Sequence, residues 1–404
     1  MSLNYLKPLR QKEMAVTYKS FVATLLLVCS LPLIFISRIE QYVSIGAYVQ
    51  VFLGLLSYFV IFYNVKNDKR LIKFTILLFP IFLAIFFNLI LIRNFELKQL
   101  LYAVIIMPAI ALLLFFFKYP RFFTLIPFFV VLFITIYRWF VLGIEANEIT
   151  VNSRNYIVYH LFLSSIPYIL YCYRHNERPF VIIPIVFIAA ALFAIGRGGI
   201  IMSIIFFIGW LAGRITISKH KYLIFFLILL FLITIIYLLI SNDTVEVLFS
   251  RFEKNGFESS QRTSAWKQYI YSLADPFNFL FGTRVSTLPQ VHELGDSLHN
   301  SYLNLHASMG LFCIPYLYLA ISGFIVLLKK KEFWLAAFFG AFLIKGFVDA
   351  DFPCSSVGGD IYMYLLMLIY IDNIYSKRLK LFNRHNESKT NSIISTSVSP
   401  DSGK

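Results

Sequence analysis

Runs of about twenty apolar residues follow one another along most of this chain, and they decide what it can fold into. A helix needs roughly 20 such residues to cross a bilayer, and a helix satisfies its own backbone polar groups where no water is present. Runs of this kind fall near 20–37, 42–63, 72–92, 99–117, 122–142, 156–173, 180–196, 198–213, 222–241, 307–328, 332–348 and 361–376. The seventh and eighth are separated only by Gly196-Arg197-Gly198-Gly199. Counted as two helices, they give an all-α polytopic membrane protein with about 12 transmembrane helices. Hydrophobic residues make up 59% and charged residues 14%. A soluble domain carries about half and a quarter, so one soluble core could not hide this much apolar surface.

The basic residues set an expected orientation. With the N-terminus in the cytoplasm, the cytoplasmic segments hold Lys7, Arg10, Lys12 and Lys19, then Lys66 to Lys73, Lys118 and Arg121, Arg174 and Arg178, Arg214 to Lys221, Lys329 to Lys331, and the tail. That accounts for 24 of the 36 Lys and Arg, while 14 of the 21 Asp and Glu fall on the other side. The alternation requires the Gly-Arg-Gly-Gly segment to be a break between two helices. It also turns the net charge of +15 into a positive-inside bias rather than a nucleic-acid signal. Both termini are expected in the cytoplasm. No small-x-small cleavage site follows Val28-Cys29-Ser30-Leu31-Pro32, so the first helix reads as uncleaved. Of Cys29, Cys172, Cys313 and Cys354, three sit in apolar runs and read as small hydrophobes.

The domain reading places helices 1–9 in residues 1–241, a large outer loop in 242–306, helices 10–12 in 307–376, and a disordered tail in 377–404. A loop of that length, not of low complexity, carries function. Its stretch Ser260 to Ile270 opens with good capping residues and puts Trp266, Tyr269 and Ile270 on one side, as an amphipathic surface helix would.

Outer-side cations are few. They include Arg154, Arg197, Arg251, Arg262, Arg284 and His299. Arginine grips phosphate oxygens two at a time. Arg197 lies between glycines at a helix start, where anions are favoured; its ordinary reading is a snorkelling arginine. Arg262 sits on the loop helix and Arg284 after a turn, and both could be plain solvated arginines. Arg154 stands at the mouth of the sixth helix as an interface anchor or a further phosphate contact. His299 lies where the loop returns to the membrane, with Asp296 close in sequence as a candidate orienting carboxylate. A histidine is the usual general base, although an ordinary loop histidine, like His292, is the simpler reading. His306 reads as a packing histidine. Asp349, Asp351 and Asp360 cluster in the last outer loop and read as solvated acids rather than as metal ligands; no metal or cofactor is expected.

Two stretches together resemble the bacterial O-antigen ligase and O-antigen polymerase superfamily. One is Gly196-Arg197-Gly198-Gly199 at a helix start, where the family has Ser-Arg-Gly. The other is His299-Asn300-Ser301-Tyr302-Leu303 followed by Met309-Gly310-Leu311. Between them lie Ser260-Gln261-Arg262 with Trp266, similar to the family's loop arginine and tryptophan, and Asp275 to Gly282, similar to its P-x-x-G segment. The match covers roughly 190–325 in order and spacing.

The resemblance implies a metal-independent membrane glycosyltransferase whose donor is a glycan on undecaprenyl diphosphate. By this resemblance Arg197 and Arg262 would bind the diphosphate and His299 would be the base; Arg154 and Arg284 match no motif and stand as additional substrate contacts by position only. The first expectation is a polymerase joining lipid-linked repeat units at the periplasmic face of the inner membrane, working with a chain-length regulator protein. The alternative is a ligase passing the glycan to lipid A-core or another acceptor. A lipid-linked glycan flippase or permease is the reading from another class, but it would more often bury charge in mid-span, and these helix centres carry almost none.

Overall fold

The computed structural model describes residues 18–39, 43–92, 97–146, 148–150, 154–194, 196–215, 260–350, 352–353 and 358–376, and among them all regular structure is helical. The helices are α1 (Tyr18–Ile36), α2 (Val43–Val65), α3 (Lys69–Phe87), α4 (Leu97–Leu101), α5 (Met107–Phe116), α6 (Arg121–Ile136), α7 (Asn155–Arg174), α8 (Ile182–Ala194) and α9 (Arg197–Ile215). Then come α10 (Ser260–Ser272), α11 (Pro276–Phe281), α12 (Pro289–His292), α13 (Ser301–Met309), α14 (Cys313–Lys329) and α15 (Phe333–Lys345). A last helix, α16, covers 359–376. The ninth expected span, Arg251 and the tail lie outside the described residues.

Among the described residues, five stretches are long and apolar enough to cross a membrane: Ile45–Val65, Lys69–Ile92, Gln99–Phe116, Arg121–Val141 and Ser301–Lys329. Shorter apolar helices are Phe21–Ile36, Ile182–Ala194, Gly198–Gly213 and Phe333–Lys345. The surface they form inverts that of a soluble protein. Phe52, Phe59, Phe79, Phe122 and Phe133 are each at least 60% exposed. A continuous apolar exterior of this kind is stable against lipid and not against water. The chain is thus an all-α membrane protein.

Helices α7 and α16 lie at the centre. Helix α7 carries His160, Ser164 and Ser165, yet all of Ile157 to Leu170 is buried. Helix α16 is buried from Ile361 to Ile369. Helices shielded from lipid by other helices can carry polar groups, provided these find partners; Ser164 and Ser165 donate to carbonyls one turn back. Two tyrosines on inner faces do similar work. π-Helical segments continue α3 (Asn88–Ile92) and join α4 to α5 (Tyr102–Ile106). A π-turn frees carbonyls from the regular ladder. Tyr58 donates to Val104 O at 2.9 Å and Tyr364 to Ala103 O at 3.0 Å.

The Gly-Arg-Gly-Gly segment is indeed a break: α8 ends at Ala194 and α9 begins at Arg197. The two helices pack together, pinned by Ser203, which donates to Phe187 O at 3.0 Å. Helix α9 packs most extensively on α15, where Gly209 meets Ala337 too closely for any larger side chain. Such small-residue contacts let backbones approach in a membrane. The return to the apolar region starts earlier than the sequence pattern placed it, at Ser301 rather than 307. Asn300 caps α13, accepting from the backbone of Tyr302 and Leu303. The helix breaks at Gly310 (φ +54), whose Cα lies against the Leu280 carbonyl, while Gly282 (φ +90) lies against Ala307 O. The P-x-x-G and Met-Gly-Leu segments are therefore the two halves of one close contact.

Candidate active site

The site is organised by the few residues after α15. The chain keeps turning there: Val348 N and Asp349 N both donate to Lys345 O, at 2.9 and 3.1 Å. Lys345 and Asp349 therefore stay one turn apart on one side, and Lys345 Nζ meets Asp349 Oδ2 at 3.0 Å with side-chain exposures of 0% and 10%. The ammonium also lies over the Tyr156 and Tyr159 rings of α7, 5.3 and 4.8 Å from their centres.

Three distant segments meet this turn. The first is the start of α9. A Cβ on Gly198 would stand 3.0 Å from Asp349 Oδ2 and 3.6 Å from Lys345 Cε, so the bare glycine is what admits the carboxylate to the first turn. Partial positive charge at a helix start favours an anion there; in this chain the anion beside it is Asp349. Gly196 packs in the same way on Asn155 at the head of α7. The backbone of Arg197 lies between these contacts, and its side chain lies outside what the structure describes.

The second segment is α10. Arg262 Nη1 donates to Val348 O at 3.2 Å. The helix is held by Trp266, whose Nε1 donates to Leu298 O at 2.6 Å, and by Tyr269, whose hydroxyl meets His306 Nδ1 at 2.6 Å. The third segment is the turn that carries His299. Asn300 Nδ2 donates to Phe347 O at 3.2 Å, Ser301 N to Gly346 O at 2.7 Å, and Ser301 Oγ to Asp349 O at 2.7 Å. Tyr302 reaches Leu343 O at 2.6 Å. Residues far apart in the chain are thus tied to one stretch of five.

His299 itself has left-handed backbone (φ +47) and is half-buried. Burial pushes its imidazole below the usual value, and the Arg262 charge pushes the same way, while Asp349 acts against them. The lowered value favours the neutral ring, the form a general base needs.

Several expectations change. Asp349 and Asp360 are not solvated acids: Asp349 is buried against Lys345, and Asp360, 1% exposed, accepts from Tyr316 Oη at 2.7 Å. Desolvated carboxylates need such partners. Asp351 lies outside the described residues. Asp296 does not orient His299; it pairs with His292 at 2.9 Å, because the α12 turn brings those two together. Ile270 leaves the packed face of α10 and is 55% exposed, while Ala265 and Tyr269 are fully buried. Arg284 is exposed and bonds Ser286 Oγ in its own turn at 3.0 Å, away from residues 345–349. Arg154 precedes α7, next to the Asn155–Gly196 contact.

Sequence reading missed Lys345 as a site residue, although its spacing to Asp349 was visible. What was not visible is that the backbone continues to turn past the helix end. It also missed a polar cluster behind the pair. The charges of Arg38 and Lys345 both reach His160, a fully buried residue of α7 whose ring nitrogens have no hydrogen-bond partner.

Comparison with family models, with characterised proteins and with solved structures finds no match to this chain.

Proposed function

We propose that this chain is a surface-polysaccharide polymerase of the O-antigen kind, an integral-membrane glycosyltransferase joining undecaprenyl-diphosphate-linked repeat units at the outer face of the bacterial inner membrane. The observation that carries the reading is the convergence on residues 345–349. The three segments singled out by motif resemblance, at Arg197, Arg262 and His299, lie up to about a hundred residues apart, yet all three meet the same short turn. Unrelated segments have no reason to share it.

In the proposed reaction the acceptor hydroxyl attacks the anomeric carbon of the lipid-linked sugar. The carbon–oxygen bond to phosphate breaks, and lipid diphosphate leaves with the electron pair. His299 takes the hydroxyl proton. Arg197 and Arg262 stabilise the charge that grows on the diphosphate, the service that divalent metals supply in many sugar-nucleotide enzymes. Preorganised donors of this type are worth about 100- to 1000-fold each in rate. A single displacement inverts the anomeric configuration.

The test is complementation of a gene-deleted strain with wild type or His299→Ala, with the glycan read as a ladder on a gel. Wild type restores a ladder over the single repeats left by the deletion, and the variant does not. A deletion that leaves bare lipid A-core, with glycan still on its carrier, would make the chain a ligase. An unchanged ladder from the variant would remove His299 as the base.

A further inference from the structure

We infer that Asp349, clamped by Lys345, is the positioning residue of this site: it fixes the His299 turn against the start of α9. This rests on the glycosyltransferase reading and extends it to two residues that no motif marks.

The argument is geometric. Asp349 uses both its ends. Its carboxylate pairs with Lys345 and fills the space left by the missing side chain of Gly198, one residue after Arg197. Its carbonyl accepts from Ser301, two residues after His299. One residue therefore sets the spacing between the helix start that bears one proposed diphosphate ligand and the turn that bears the base. Lys345 is held in place. Its side chain is fully buried, boxed by the Tyr156 and Tyr159 rings, and it holds the carboxylate at 3.0 Å. A buried pair of this kind is weak evidence for stability, since neutral residues of similar shape can replace both partners at little cost. Stability therefore does not account for the pair, whereas its contacts at the site do. Arg262 alone would oppose the imidazolium formed when His299 accepts a proton; Asp349 is the opposing charge. The pairing resembles in logic a base backed by a carboxylate that orients it and stabilises its charged form.

The test separates positioning from stability by neutralising both partners. In the double variant Lys345→Met/Asp349→Asn no charge is left buried, so the purified full chain should keep its melting temperature in detergent. Turnover of lipid-linked repeat should nevertheless fall about 100-fold in kcat, the usual cost of misplacing a reacting group by about an ångström, with KM changed by less than about threefold. The acid limb of the kcat/KM profile should move to lower pH, because the charge that favours protonated His299 is gone. Asp349→Glu, which keeps the charge, should return the limb to its wild-type position, and this variant carries the test if the double variant does not fold. A double variant with wild-type kcat and limb, or a glutamate variant whose limb stays displaced, overturns the inference and leaves the glycosyltransferase reading intact. Wild-type protein that leaves the repeat unconsumed overturns that reading instead. The pH dependence of His299 modification by diethyl pyrocarbonate then decides the inference without turnover: a midpoint lowered by Asp349→Asn supports it, and an unmoved midpoint overturns it.

Discussion

At His299 two charges pull in opposite directions. Burial and the Arg262 guanidinium favour the neutral ring, and Asp349 favours the protonated one. The account therefore predicts an acid limb in kcat/KM below the ordinary imidazole value of 6.5, since activity needs the deprotonated ring and falls as pH drops through its lowered pKa. Arg262→Gln removes one depressing influence. Its limb should move to higher pH while kcat falls about 100-fold or more from the lost diphosphate contact. A pH–rate profile of the purified variant checks both, and a limb that moves to lower pH would contradict the electrostatics. At this scale the motif order singled out Arg262 and the His299 turn, and the fold brings both to residues 346–349. Asp296 was offered as an orienting carboxylate because it is close to His299 in sequence, but closeness in sequence is not contact, and the turn pairs it with His292; Arg284 is exposed, as its simpler reading had it. The role of Asp349 was hidden because its partners lie on α9, α13 and α15, which only the fold brings together.

Among the elements, α10, α11 and the α13–α14 break act as one unit. Its joint is the glycine contact in which Gly310 meets Leu280 and Gly282 meets Ala307. Both glycines have positive φ and no room for a Cβ. Gly310→Ala should therefore cost about 1–3 kcal/mol from the backbone alone, with the clash in addition. The melting temperature in detergent should drop, and the segment 260–300 should become more sensitive to protease; an unchanged melting curve would show that the contact is not needed. The break before α9 was readable, because glycines interrupt an apolar run just where the charge alternation requires a turn. The start of α13 was read six residues late. Ser301 to His306 are too polar for a hydropathy pattern, and their polarity is tolerated because Ser301 and Tyr302 spend it on carbonyls of α15 and of the turn after it.

Across the whole molecule, the exterior is made by apolar α2, α3 and α6, and the interior by α7, α16 and the buried stretch of α5. Helices of both kinds are apolar runs in the sequence, so the membrane class was plain from it, while which of them lie inside follows from packing alone. The orientation rests on the basic residues alone, and it makes a prediction. Single cysteines at Gln261 and Arg284 should react with an impermeant maleimide added outside intact spheroplasts, and one at Lys330 only after lysis. The reverse pattern would put the site on the cytoplasmic side, where lipid-linked repeats are not polymerised in this account. The central claim, that Arg262, His299 and the α9 start act together on a lipid-diphosphate sugar, is tested most directly by single turnover of purified protein. The protein is mixed with undecaprenyl-diphosphate-linked repeat in EDTA, without vesicles or a gradient, and the released lipid diphosphate is counted against bonds formed. The account predicts one lipid diphosphate released per new glycosidic bond, with inverted configuration, and at least a 100-fold loss in both His299→Ala and Arg262→Gln. Turnover that needs added magnesium, or that survives both substitutions, would contradict it.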